Sequence, residues 1–585
     1  MRLRLSLAAV AASLAAVLAS AAPAAAVGDP IMPLSQVRSG MRCTGYSVVR
    51  GTAVSSFDVE VLDVVDGDPN ENGPRILVQV SGPAVDSTGI GPGFSGSPIY
   101  CTGGDGVARN IGAISESIGE YGGKTVLATP IEAILTDKPE APRARSAAAS
   151  AAAGPRSAHA ARAERLLRRV GARELTGPLT VSGLSAPLAR RLEAAGRTAG
   201  RPVLATPAGP LGSFPRQPLR PGSAVAVGYS SGDLELGAIG TVAYTDDDAV
   251  WAFGHPFEGA GRRSLYLQDA YVFHVVNDPN SADESGGSYK LSAPGHDLGT
   301  LTNDALDAVV GRVGVLPRAI PIRVRAHDDD TGAAHTLHVN AASETEVGDP
   351  TGFSPVGQVA PLAILQDATQ VLGATPGRLS GRMCLRIAFR ERTAPARFCN
   401  RYASTSIAGD GTGSGVALGA ALDALDALGL VDTYEGRPPH VTSVRATVRE
   451  RRGERLASLR SIRAPKVVRR GREVRLRVRL QRVRGAAFTR ALRVRVPKHV
   501  RPGRRSLVLS GADQPLEGDD AFIELLVGGG APKAPATLDE LVGAIEGIGR
   551  HDGVTGRIGG RSFPAFRDAQ LLVTGRASAR LRVRR

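Results

Sequence analysis

The sequence predicts a mostly β protein with some helices, built as two β-barrel halves followed by a C-terminal antiparallel β-sandwich. Three observations carry that expectation. Short runs alternate apolar and polar residues at period two, as in FDVEVLDVV (57–65) and RILVQVS (75–81), with the turn-rich DGDPNENGP between them. Beyond about residue 440, EVRLRVRLQRV and RALRVRVP alternate aliphatic residues with Arg, the pattern of half-buried strands with one solvated face. Finally, CTGYSVVRGTAVSSFDVEVLDV (43–64) is echoed by AVGYSSGDLELGAIGTVAYT (226–245), sharing Gly-Tyr-Ser, a Gly a few residues on and then an alternating strand. Two similar barrels packed face to face would put a site in the cleft between them.

Composition bounds the rest. A chain of 585 residues has room for two to four domains, and 42% hydrophobic with 22% charged residues excludes wholesale disorder. Lys+Arg outnumber Asp+Glu by 71 to 56, a net +15 that suits an anionic partner such as nucleic acid, envelope polymer or phospholipid. Aromatic residues are only 4%, with a single Trp, which argues against a stacking platform for single strands. No specific nucleic-acid partner is expected; an anionic cell-envelope surface, met by the basic C-terminal region, is.

In chain order, Arg2 and Arg4, the apolar stretch 5–18 and Ala24-Ala25-Ala26 read as a signal peptide over 1–26, so the protein is expected to be secreted or held at the cell envelope. Residues 30–138 form the first half, 139–165 an Ala/Arg linker, 166–438 the second half and 439–585 the basic accessory sandwich. Within the second half, ELGAIGTVAY and AVWAF flank Asp246-Asp247-Asp248 as a hairpin with an acidic turn, and 354–372 and 415–430 have helical periodicity. Export permits disulfides. Cys384 and Cys399 bracket a strand-like pair and would staple a hairpin, leaving Cys43 and Cys101 for each other, although four cysteines allow three pairings.

Chemistry enters at Gly91-Pro92-Gly93-Phe94-Ser95-Gly96-Ser97-Pro98. A Ser between glycines on a tight turn presents its hydroxyl, and the amides of Gly93 and Ser95 would converge on a developing oxyanion. Pro98 opposes a following helix, so this is not a strand-to-helix nucleophile elbow. Trp251-Ala252-Phe253-Gly254-His255-Pro256-Phe257 then sets a His at the end of an apolar strand, where it can serve as a general base. His335 and His338, three apart on a strand, face opposite ways and do not suggest a zinc pair. Neither a metal nor an organic cofactor is expected.

These two segments resemble the SpoIVB peptidase family of serine endopeptidases. Its nucleophile turn, Gly-Met-Ser-Gly-Ser-Pro-Ile, is matched by Gly93-Phe94-Ser95-Gly96-Ser97-Pro98-Ile99, and its following glycine-rich strand by NIGAIS (110–115). Its histidine block is matched by Gly240-Thr241-Val242-Ala243-Tyr244 and Ala252-Phe253-Gly254-His255. Similarity extends over about 36–137 and 222–330, including SYKLSAPGHDLGTLTNDALDAVVGRVG (288–314). The resemblance implies a two-part chymotrypsin-like catalytic region in which Ser95 attacks a peptide carbonyl of a protein substrate and His255 carries the proton. Two features depart from the family. Ser95 precedes His255, the reverse of the sporulation proteases, and the place of their upstream Asp falls at about Ser81. Asp86 and Asp269 are the nearby carboxylates that could orient His255, with a backbone carbonyl as the alternative, so no third member is assigned. The family's peptide-binding PDZ module is not recognisable. The rival expectation is a non-catalytic envelope scaffold that keeps the fold.

Overall fold

The computed structural model describes residues 28–66, 73–118, 122–139, 172–174, 179–200, 203–206, 214–278, 287–347, 354–372, 379–404, 415–453, 455–512, 519–527, 535–548, 553–568 and 570–585. The expected signal peptide 1–26 and nearly all of the expected linker 139–165 lie outside the described residues. Strand makes up 53% and helix 16%, so the chain is mostly β, as the alternation predicts.

The first barrel consists of β1 (Arg42–Val48), β2 (Val54–Val65), β3 (Arg75–Ser81), β4 (Pro98–Thr102), β5 (Ala108–Ile118) and β6 (Thr125–Pro130). They pair antiparallel in the order β1-β2-β3-β6-β5-β4, and β4 closes back on β1. Alternation explains the closure. Along β2, Phe57, Val59 and Val61 are buried while Asp58 and Glu60 are exposed, and the buried set meets Ile76, Val78, Ile99 and Val126 in one core. Cys43 and Cys101 stand directly opposite each other on β1 and β4 and are disulfide-bonded, with Cα atoms 4.3 Å apart. The covalent bond fastens the closing seam. A short helix, α1 (Ile131–Thr136), follows β6, and β7 (Ala172–Glu174) adds to β5.

After β8 (Leu179–Ser182), α2 (Ala186–Thr198) and β9 (Val203–Thr206), a parallel βαβ unit, the chain builds a second ring. It uses β10 (Ala224–Gly228), β12 (Glu235–Asp246), β13 (Ala249–Ala252), β14 (Gly261–Asp278), β15 (Gly287–Asp304) and β16 (Val309–Val313), while β11 (Ser230–Gly232) pairs elsewhere. The antiparallel order is β10-β12-β13-β16-β15-β14, with β14 returning to β10. Both rings therefore run first, second, third, sixth, fifth, fourth. The two echoed segments supply the first two strands of each. The acidic hairpin is present, with Asp246 opposite Ala249 and Asp247 at φ 50° in the turn. The rings pack through Val48 against Ala224, Ala226 and Val272, and through Ile131 and Ile134 against Tyr244 and Trp251.

A third sheet, β11-β18-β17-β21-β19-β20, contains β17 (Ala319–Asp328), β18 (Ala334–Ala342), β19 (Leu379–Phe389), β20 (Ala396–Ser404) and β21 (Val441–Arg452). It is backed by α3 (Pro355–Leu372) and α4 (Gly415–Asp432), the two segments with helical periodicity. Cys384 and Cys399 face each other across β19 and β20 and are bonded. The sequence begins the accessory region at residue 439, but β21 lies inside this sheet, parallel to β17 and antiparallel to β19. Its aliphatic–Arg alternation identifies a strand and says nothing about which sheet accepts it.

The C-terminal sandwich opposes two sheets, β25-β24-β22-β29 and β23-β30-β26-β27-β28. Its strands are β22 (Leu456–Arg463), β23 (Val467–Arg469), β24 (Glu473–Arg482), β25 (Ala487–Arg495), β26 (Gly503–Ser510), β27 (Gly553–Ile558), β28 (Arg561–Arg567), β29 (Leu572–Thr574) and β30 (Arg576–Arg584). Leu476, Val478, Leu507, Leu509 and Leu581 share the core between the sheets. The sandwich is mixed rather than purely antiparallel, because β29 runs parallel to β22 and β23 parallel to β30. Between β26 and β27, α5 (Asp519–Val527) and α6 (Leu538–Gly547) leave the sandwich, and Phe522, Leu525, Leu541 and Ile545 join the large core around α2 and α4.

The Cys43–Cys101 bond spans 58 residues of sequence, so the Cys43→Ala/Cys101→Ala chain should lose about 4 kcal/mol of stability in the chain-entropy account. Urea unfolding measures it; a loss below about 1 kcal/mol would mean that the β1–β4 ladder holds the seam unaided.

Candidate active site

Ser95 lies in the connection between the third and fourth strands of the first ring. Its flanking glycines are there for geometry: Gly93 and Gly96 have φ of 94° and 89°, in the region that favours glycine. A Cβ on Gly96 would lie 1.9 Å from the Thr241 carbonyl oxygen and 2.6 Å from Phe253 N, so the turn meets the second ring backbone to backbone. The amides of the turn fall into two groups. Phe94 N–H donates to Gly91 O at 3.1 Å, Gly96 N–H to Ile114 O at 2.7 Å and Ser97 N–H to Phe94 O at 2.9 Å. The N–H groups of Gly93 and Ser95 donate to no described residue, although the turn is buried. Buried amides are nearly always paired, so two uncommitted ones in a single turn require a reason.

His255 occupies the equivalent connection of the second ring, after β13. Phe253 just before it has φ 69°, a costly conformation for an aromatic residue and the kind of strain that a well-packed site retains. The turn is held by Phe253 N–H to Thr241 O at 3.2 Å and by Thr129 Oγ1 to Gly254 O at 2.7 Å. His255 Nδ1 lies 2.7 Å from the Pro256 carbonyl oxygen. A carbonyl only accepts, so Nδ1 carries a proton and the neutral ring has its lone pair on Nε2.

Thr241 joins the two turns: its N–H donates to Ser95 O at 2.7 Å and its carbonyl receives Phe253 N–H. Ser95 and His255 are buried, at 1% and 2% exposure. Ser95 Oγ makes no hydrogen bond to a described residue, so the structure brings the two onto adjacent turns without joining them. The carboxylate candidates are occupied otherwise. Asp86 is exposed and paired with Lys124 at 2.7 Å, whose hydrogen bond holds its carboxyl below the usual range. Asp269, fully buried, accepts from Gln217 N at 2.7 Å, His296 N at 2.5 Å and His296 Nδ1 at 3.0 Å.

Three residues that sequence reasoning passed over hold the site. Asp304, buried at the end of β15, accepts the amides of Phe257 at 2.7 Å, Glu258 at 2.8 Å and Ala260 at 3.2 Å, which fixes the segment that follows His255. Beside it Arg263, also fully buried, grips Glu344 with two bonds of 2.8 and 3.0 Å and Glu258 with one of 2.7 Å, tying that segment to the chain just after β18. Lys290, on β15, is buried where the Ser95 turn meets the second ring, and burial lowers its ammonium to about 7. Only the extent of the resembling segment 288–314 pointed to either Asp304 or Lys290.

Gly96→Ala should cost at least about 2 kcal/mol, since both the backbone conformation and the space forbid a Cβ. Asp304→Ala should cost about 3–5 kcal/mol by leaving the amides of Phe257, Glu258 and Ala260 without their acceptor, while Arg263 keeps Glu344 and Glu258. Chemical denaturation checks both, and a loss under about 1 kcal/mol in either would contradict the packing described.

Protein-family models, curated proteins and solved structures, compared with this chain, return no match.

Proposed function

We propose that the protein is an exported serine endopeptidase that cleaves protein substrates through an acyl-enzyme. The observation that carries this reading is a pair of amides, Gly93 N–H and Ser95 N–H, with no acceptor among the described residues, in a buried turn whose neighbouring amides at 94, 96 and 97 are all engaged. Donors kept free of internal partners are what a developing oxyanion needs. The His255 tautomer, with its lone pair on Nε2, suits a general base. Two rings of matching strand order support a chymotrypsin-like catalytic region, and the resemblance of both turns to the SpoIVB peptidases supports the substrate class.

In this mechanism Ser95 Oγ adds to the scissile carbonyl as its proton passes to His255 Nε2. The oxygen gains the negative charge and is held by the two amides. The tetrahedral adduct collapses by breaking the C–N bond, His255 returns the proton to the departing amine, and water repeats the sequence on the ester. The C-terminal sandwich would dock the enzyme on an anionic cell-envelope surface. Its registers set Arg475 against Arg493, Arg463 against Arg477 and Arg504 against Arg582, like charges whose repulsion a polyanion relieves.

A second reading, a non-catalytic scaffold, is favoured by one observation: Ser95 is 1% exposed, with no hydrogen bond to a general base. A fluorophosphonate probe separates the two. The enzyme reading expects labelling that vanishes in Ser95→Ala and slows about 10²–10⁴-fold in His255→Ala. A native chain that resists the probe, or labelling that survives Ser95→Ala, would favour the scaffold.

A further inference from the structure

Lys290 lies buried at the barrel junction, and the peptidase reading gives it no work. Its main-chain N–H donates to Pro92 O at 2.9 Å. Its stem lies so close to Gly93 that a Cβ there would be 2.9 Å from Lys290 Cβ. Its Nζ donates to Ser47 Oγ at 2.7 Å and to Thr241 Oγ1 at 3.1 Å, and lies 4.5 Å from the centre of the Phe94 ring. One residue thus touches Pro92 through its main chain and Gly93 and Phe94 through its side chain.

The two hydroxyls pass the contact on. Thr241 Oγ1 donates to Gly93 O at 2.9 Å. Ser47 Oγ is 2.8 Å from Ser97 Oγ, which also reaches Phe94 O at 2.6 Å. Peptide units are planar and trans, so fixing the Phe94 carbonyl fixes the direction of the Ser95 N–H on the far side of the same unit. We propose that Lys290 is a positioning residue for the Ser95 turn, setting the direction of the Ser95 N–H through Ser47 and Ser97 and holding the preceding Gly93–Phe94 peptide through Thr241. As a statement about catalysis this rests on the peptidase reading; as a statement about the turn it does not.

Among the described residues, the groups facing Nζ carry no charge. They are Ser47 from β1, Thr241 from β12 and Phe94 and Gly93 from the turn, with Val275 of β14 opposite Lys290 in register and Ser288 and Ser292 on the same side of its own strand. A charge there has no counter-ion among the described residues, so the neutral amine, with two N–H donors for two hydroxyl acceptors, suits the site better. Burial brings the group to about 7 from its ordinary 10.5. Because the unfolded chain then holds this proton more tightly than the folded one, the contribution of Lys290 to stability is constant below about pH 7 and rises from there to about 10.5.

The test compares the full native chain with Lys290→Met, which keeps the stem and loses the donors. Hydrogen exchange of the 91–99 segment is followed from pH 5 to 9, corrected for intrinsic rate, alongside the rate of fluorophosphonate labelling. The native turn should exchange about tenfold faster below neutrality than above it. Lys290→Met should exchange fast throughout, without that step, and should label roughly 10–100-fold more slowly. Unchanged exchange and an unchanged pH profile in Lys290→Met would overturn the proposal. If the native chain does not label but the turn loosens as expected, the peptidase reading falls and the positioning role stands. If Lys290→Met does not fold, Ser97→Ala and Thr241→Val, which cut the relay beyond Nζ, must reproduce the loosened turn, and a rigid turn in both overturns the proposal.

Discussion

The site depends on Thr241 before anything else. Its main chain bonds the Ser95 turn on one side, at 2.7 Å, and the His255 turn on the other, at 3.2 Å, and its hydroxyl holds the Gly93 carbonyl. The bond to Ser95, backbone to backbone across separate rings, leaves little room for adjustment, since it fixes a peptide plane rather than a rotatable side chain. The glycines follow from this closeness. Gly96 must be Gly because Thr241 and Phe253 occupy the space of a side chain, and Gly93 must be Gly because Lys290 does. What reads in the sequence as a flexible glycine-rich turn is a segment clamped from the other barrel.

Under the peptidase proposal, the order of Ser95 before His255 has a plain geometric explanation. Each lies between the third and fourth strands of a six-stranded ring, and the two rings have the same strand order. Two like rings facing each other bring equivalent connections to one junction, whichever ring comes first in the chain. Swapping the contents of the two connections preserves their juxtaposition. The echo between 43–64 and 226–245 is the trace of that likeness, for it covers the first strand pair of both rings.

How much was legible follows the range of the interaction. Period-two alternation is local, and it marked β2, β3 and the Arg-faced strands, as helical period marked α3 and α4. The two disulfides were within reach because Cys384 and Cys399 sit on adjacent strands of one hairpin, which left the other pair. Asp304 and Lys290 were not. A charged residue in a polar strand reads as solvated, and only the closed ring shows that both are buried. The boundary at 439 failed to separate β21 for the same reason: partner choice in a sheet is long-range. The parallel pairs β22–β29 and β23–β30 likewise join strands more than a hundred residues apart.

The two halves of the candidate site are held by different kinds of bond, and under the peptidase proposal this decides which could yield to a substrate. On the Ser95 side the turn bonds main chain to main chain with Ile114 of its own ring and Thr241 of the other, and the Thr241 hydroxyl and Lys290 pack behind it, so separating the rings would break its support. On the His255 side, 257–260 is held by the carboxylate of Asp304, with Arg263 behind it. This segment is half-buried, in contrast to the residues before it, and Gly259 and Gly261, at φ of 64° and 71°, flank its end. Side-chain-to-backbone bonds can be exchanged for water one at a time, and glycines tolerate the dihedral change that a moving loop requires. If a polypeptide is to reach the Gly93 and Ser95 amides, the 257–260 segment is therefore the part that can move while the Ser95 turn stays formed. That motion would loosen the Asp304 and Arg263 anchors, so admission of substrate and the placement of His255 would be energetically linked.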